Sequence, residues 1–124
     1  LYSPNEKERG IPKNYASTQD VFALASGYLC CAPEYNGSIP PVLSNTIAWL
    51  SVVSDDFRAL FNSKPVALST HSGGAGQKVL LAMRVQFSHL GCNVIGRDLV
   101  STSEKPLRDE AIQAVLEQLT KLHQ

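Results

Sequence analysis

Charge of a single sign is missing from this chain. Eleven basic residues balance eleven acidic ones across 124 residues. No basic stripe exists to neutralise phosphates, which argues against nucleic-acid binding. Long apolar runs are also missing. None approaches the ~20 residues that a membrane span needs. The first ten residues are polar and charged, so no signal peptide is visible. Cysteine is scarce and odd in number: Cys30, Cys31 and Cys92. Such a count does not make a disulfide framework. Cys30 and Cys31 are adjacent, so on a strand they point to opposite faces, without metal-ligand spacing. They read as small apolar residues in a reducing cytoplasm.

What remains suits a single globular domain over residues 1–124. Apolar residues make up 44% of the chain, enough for a core. The opening, Leu1 to Pro12, reads as loop. Tyr15, Thr18, Phe22 and Ala25 recur at three-to-four spacing and predict a helix over 12–25. Gly27 to Ala32 is a continuous apolar run of strand length, with both faces expected to be buried. A loop follows, and then a helix from Pro40 to about Val53. Leu43, Ile47 and Leu50 form its stripe, and Trp49 lies beside it as a core or interface residue.

Asp55 to Lys64 is a connector in which Phe57, Leu60 and Phe61 could form one helical turn capping the core. Pro65 to Thr70 is the second strand. A helix follows from Gln77 to Leu90, with Leu80, Met83, Phe87 and Leu90 on one face and Gly91 as its left-handed stop. Asn93 to Gly96 is a third, short strand, and Leu99 to Lys105 is a loop. The last helix, from about Pro106 to Leu122, has Ile112, Val115, Leu116, Leu119 and Leu122 as its buried stripe. Strands alternating with helices predict an α/β fold, a parallel sheet with helices on both faces.

Ligands of such sheets bind outside the carboxyl ends of the strands. Two loops fall there: Pro33-Glu34-Tyr35-Asn36-Gly37-Ser38 and His71-Ser72-Gly73-Gly74-Ala75-Gly76. Each has a plainer reading by itself. The second is a turn that any strand needs to reverse into a helix. His71 alone is an ordinary loop histidine, and Glu34 an ordinary ion-pair partner. His89 and His123 fall on exposed or terminal helix positions and carry no role. The coincidence of two such loops on adjacent strands favours a binding site.

The first loop, continuing as Ile39-Pro40-Pro41-Val42-Leu43 and Asn45-Thr46-Ile47-Ala48-Trp49-Leu50-Ser51, resembles the NADPH-dependent FMN reductase family. Lys64-Pro65-Val66-Ala67-Leu68 and Leu90-Gly91-Cys92-Asn93-Val94 extend the resemblance over almost the whole chain. It implies a flavodoxin-like, doubly wound, three-layer fold. It implies FMN and NAD(P)H as cofactors, with hydride passing from the nicotinamide to FMN and onward to a quinone, azo or similar small-molecule acceptor. Pro33, Glu34, Tyr35, Asn36 and Gly37 would line one side of the flavin ring, largely through main-chain amides. His71, Ser72, Gly73 and Gly74 would approach from the next strand end. A homodimer or homotetramer is implied, with the Tyr35 loop and the following helix near the interface. The cofactor carries the chemistry, so no catalytic side chain is nominated.

The departure from the family is at the front. Its first β-α-β segment, which includes the loop cradling the FMN phosphate, has no counterpart in these residues. Roughly 45–55 residues would be needed to complete such a domain. Gly27–Ala32 would then be an apolar edge strand, and a further amino-terminal segment or another subunit is expected to pair with it. The competing reading is a non-catalytic flavodoxin-like module that binds flavin or serves in assembly. A glycine-serine-x-arginine stretch upstream would favour the enzyme. A receiver domain would need acidic residues at the strand ends to hold magnesium, where Ala32-Pro33 and Thr70-His71 stand instead.

Overall fold

A computed structural model describes residues 1–123; the side chain of His123 lies outside the described residues. The elements in chain order are α1 (Pro4–Glu8), α2 (Lys13–Leu24), β1 (Tyr28–Cys31), α3 (Pro41–Leu50), β2 (Pro65–His71), α4 (Gln77–His89), β3 (Asn93–Val94), β4 (Leu99–Ser101) and α5 (Asp109–His123). All strand pairs are parallel. β2 is central, with β1 on one side and both β3 and β4 on the other. The third position of the sheet is therefore one interrupted strand. β3 pairs with the start of β2, and β4 pairs with its end.

Alternation along the strands divides the core in two. Val66 and Leu68 join Ile47, Leu50, Leu60, Phe61, Leu80, Met83 and Phe87 on the face covered by α3 and α4. Ala67 joins Ile95, Leu99 and Val115 on the face covered by α5. Helices thus lie on both faces of a parallel sheet, and β2 is buried from Pro65 to Thr70.

Several sequence expectations are corrected. Pro4–Glu8 is a short helix rather than loop, because Ser3 Oγ accepts a hydrogen bond from the Glu6 amide at 3.1 Å and Pro4 suits the first turn. β1 is buried on one face only. Tyr28 and Cys30 pack inward, while Leu29 is 44% exposed and Cys31 is exposed, since no helix among the described residues covers these two on the α5 side of this edge strand. Leu99–Ser101 is strand rather than loop. On α5, Val115 is buried, but Leu116 and Leu122 are exposed, because the helix packs mainly on β2 and β4. Connector residues 54–63 form turns, not a helix. Leu60 and Phe61 cap the core, while Phe57 lies outside and stacks on His89 with ring centroids 6.0 Å apart.

The long connectors are tied down by side chains that satisfy helix ends. Lys64 Nζ donates to the carbonyls of Phe22, Ala23 and Ala25, closing the carboxyl end of α2. Arg58 Nε donates to the His89 carbonyl at 3.0 Å, closing α4. Gly91 has φ +88°, and a Cβ there would strike Asn62, so only glycine fits this stop.

Candidate functional site

The loop after β1 is built around a two-residue turn. Asn36 has φ 51° and Gly37 φ 77°. Tyr35 and Ser38 exchange both backbone hydrogen bonds, at 2.9 and 3.0 Å. An Asn-Gly pair with both φ values positive is the turn whose twist best closes a hairpin. The amide of Tyr35 is consumed inside this turn, and Pro33 has none. The amides of Glu34, Asn36 and Gly37 have no protein partner among the described residues. This narrows the expectation that the amides of the whole loop face a ligand.

The loop after β2 enters α4 through two successive left-handed residues, Ala75 (φ 69°) and Gly76 (φ 67°). Gly76 caps α4 without a side-chain hydrogen bond, so the first-turn amides of the helix remain unpaired donors. Ser72 Oγ accepts from the Gly74 amide at 3.2 Å. A Cβ on Gly73 or Gly74 would meet nothing within 4 Å, so space lies open above this stretch. The first loop reaches the start of α4 at Gly37, where a Cβ would lie 3.4 Å from the Lys78 side chain at Cδ.

Below them, at the carboxyl ends of β1, β2 and β4, is a cleft of about 340 Å³ lined by Cys31, Ala32, Pro33, Ser69, Thr70, His71 and Ser101. Of the residues anticipated from sequence, Pro33 and His71 line it. Glu34 to Gly37 and Ser72 to Gly74 flank it on the two loops. Cys31, Ala32, Ser69, Thr70 and Ser101 were not anticipated. Ala32 and Thr70 could have been found as the last strand residues before each loop. Ser101 gave no signal, because its strand was read as loop.

Thr70 is 2% exposed, and its Oγ1, shut off on the α4 side of β2, has no hydrogen-bond partner among the described residues. A buried hydroxyl left unpaired is costly unless a ligand or water meets it. The arrangement offers a flat polar ring unpaired amides from two loops, an open glycine stretch and a helix amino terminus. Among the described residues no cluster of three metal-ligating side chains occurs. The buried thiols are not reactive groups of this cleft. Burial, reinforced by neighbouring Cys31, pushes Cys30 up to about 11.

Comparison with known proteins decides the family. The profile of the NADPH-dependent FMN reductases matches residues 1–106. The chain belongs to that family. A quinone reductase of Escherichia coli K12 is 36% identical over 69 residues, which is 56% of this chain and 35% of that protein. The NADH:(hydroxy)cinnamate reductase subunit CrdA of Vibrio ruber is 32% identical over 65 residues, 52% of this chain and 30% of that protein. The chain thus matches about a third of the length of these curated relatives. Among solved structures, the flavoenzyme NAD(P)H:(acceptor) oxidoreductase FerB of Paracoccus denitrificans superimposes with a TM-score of 0.74 at 15% identity, over 98% of this chain and 71% of that one. General stress protein 14 of Treponema denticola, solved in complex with FMN, gives a TM-score of 0.57 at 15% identity, over 87% of this chain and 71% of that one. At such identities these two establish the fold, which is the flavodoxin-like α/β architecture of FMN reductases.

Proposed function

We propose that this chain forms the ring-binding part of an NAD(P)H-dependent FMN reductase that delivers electrons to quinone, azo or similar acceptors. The observation that carries this reading is the placement of the Glu34–Gly37 and Ser72–Gly76 loops beside the cleft at the carboxyl ends of β1, β2 and β4. When bound, FMN would supply hydride acceptance from a reduced nicotinamide and electron transfer onward.

The chain's own residues bind and orient. The free amides of Glu34, Asn36 and Gly37 would donate to acceptor atoms on the ring edge. Preorganised donors of this kind stabilise negative charge that develops during reduction. The amino terminus of α4 adds positive potential from the other side. Pro33 and Ala32 supply apolar contact. No side chain needs to act as nucleophile or metal ligand. Family membership and the names of the relatives support the reductase over the non-catalytic module.

A homodimer or homotetramer is part of the proposal. Tyr35, 54% exposed, and Val42, 69% exposed, are apolar side chains on the loop and helix assigned to the interface. Three free cysteines suit a reducing cytoplasm. No helix among the described residues is long and apolar enough to cross a membrane.

The test uses the full-length polypeptide. It should turn yellow with FMN, melt at a higher temperature when FMN is added, and oxidise NADPH in the presence of a quinone. Flavin binding without NADPH oxidation would favour the non-catalytic module. A protein that stays colourless and shows no melting shift rejects both.

A further inference from the structure

His71 and Ser101 end adjacent strands as register partners, so their side chains share one face of the sheet. His71 Nδ1 and Ser101 Oγ lie 2.8 Å apart. We propose that Ser101 is a positioning residue that fixes His71 with Nε2–H as its outward donor, and that this donor recognises a carbonyl oxygen on a flat conjugated ring. The inference rests on the flavin-site reading for its ligand, but not for its geometry.

Three observations support it. First, the pair stands on strands rather than on loop tips. The Ser101 carbonyl accepts from the Ser72 amide at 3.1 Å, and the Arg84–Asp98 ion pair at 2.6 Å anchors the chain just before β4. A group held this way is more precisely aimed than one on a mobile loop. Second, Nδ1 is engaged while Nε2 has no partner among the described residues. A serine hydroxyl that donates to Nδ1 leaves the ring proton on Nε2, because in a neutral imidazole one nitrogen accepts and the other donates. Third, the cleft beside the ring is mostly apolar at Cys31, Ala32 and Pro33. One outward N–H in such a setting selects an acceptor atom on an otherwise flat apolar ligand. A carbonyl of this kind is found both on the flavin and on a quinone acceptor.

Two measurements on the full chain test this. Long-range proton–nitrogen correlation spectra of the histidine rings, recorded at mildly alkaline pH, report which His71 nitrogen carries the proton. The expected result is the Nε2–H form in the wild type, a mixture in Ser101→Ala, and recovery in Ser101→Thr. An Nδ1–H ring in the wild type, or a ring unchanged in Ser101→Ala, overturns the positioning role. The second measurement compares the FMN dissociation constant with the quinone KM in Ser101→Ala and His71→Gln. Loss of one hydrogen bond predicts a rise of about three- to tenfold in one of the two. A rise in the first places the carbonyl on the flavin, and a rise in the second places it on the acceptor. If the wild type binds FMN and neither value moves, the recognition role falls. If the wild type binds no FMN, the flavin-site reading fails and takes the recognition role with it, while the ring spectra still decide the positioning role.

Discussion

Gly76 sits so close to Thr70 that a Cβ on the glycine would run into the threonine Cγ2 methyl. The same glycine holds φ +67° as the cap of α4. Two independent constraints therefore exclude a side chain at the point where β2 hands over to the helix. The left-handed backbone alone disfavours alanine by about 1–2 kcal/mol, and overpacking adds roughly 1–3 kcal/mol. Gly76→Ala should lower stability by about 2–5 kcal/mol in urea unfolding and weaken FMN binding, since the strand end would have to shift. Its neighbour gives the opposite sign. Ala75 holds φ +69° with a Cβ in place, so Ala75→Gly should be neutral or stabilising by up to about 1 kcal/mol. If both substitutions behave alike, the left-handed pair is not what shapes this loop.

The start of the chain is held by an aromatic cluster around Trp49. This side chain is 3% exposed, stacks on Tyr15 at 5.8 Å and meets Tyr2 edge-on at 5.2 Å. Asn45, one turn earlier on α3, accepts from the Tyr2 amide at 2.7 Å and donates to the Tyr15 hydroxyl at 3.1 Å. Trp49→Ala should cost about 3–5 kcal/mol in chemical unfolding. Asn45→Ala should cost about 1–2 kcal/mol and expose the first residues to protease. A protease pattern unchanged in Asn45→Ala would show that the aromatic contacts alone hold the segment.

Much of this architecture was legible because its signals are local. The periodicity of Leu80, Met83, Phe87 and Leu90 and the glycine at 91 defined α4 to within a residue. The apolar run after Pro65 defined β2. What escaped depended on distant partners. Leu99–Ser101 is three residues long, flanked by Arg97-Asp98 and Thr102-Ser103, and is a strand only because β2 is long enough to pair with it. Ser101 was lost with that strand. At the site, the Asn36-Gly37 turn was readable from the dipeptide alone. That the turn would consume the Tyr35 amide was not, because this depends on hairpin register. The exposure of Leu116 and Leu122 was equally invisible, since a stripe on a helix does not reveal how far the opposing sheet extends.

The cysteines should separate cleanly by reactivity. Burial pushes Cys92 up to about 11, as it does Cys30, whose Sγ lies 3.8 Å from Met83 Sδ. Cys31 is exposed and lines the cleft. The thiolate is the reacting form, so a maleimide at neutral pH should label Cys31 quickly and the other two slowly. Mass spectrometry with and without FMN checks this, and flavin should protect Cys31. The same shifts set an alkaline limit on stability. A thiol whose folded value is raised contributes fully below the unfolded value of about 8.5, and the contribution is lost as pH climbs toward the folded one. Tyr28, raised to about 12 by burial and then by Cys92, extends the effect upward. The melting temperature should therefore fall steadily from about pH 9 to pH 11, less steeply in Cys30→Ala.

The open edge of β1 makes the last prediction. The Ala32 amide donates to the Ser69 carbonyl at 3.0 Å, so by strand alternation the amides of Cys30 and Tyr28 also face β2. Those of Leu29 and Cys31 then point outward, from a strand whose Leu29 side chain is also 44% exposed. An apolar edge without charge or proline readily pairs with another chain. If a further strand or another subunit pairs with this edge, the Leu29 and Cys31 amides should be protected from hydrogen exchange to nearly the level of Val66 and Leu68. Leu29→Lys should weaken that protection without disturbing β2. Exchange of both amides at free-peptide rates, with β2 still protected, would mean that this edge faces solvent and that the sheet ends at β1.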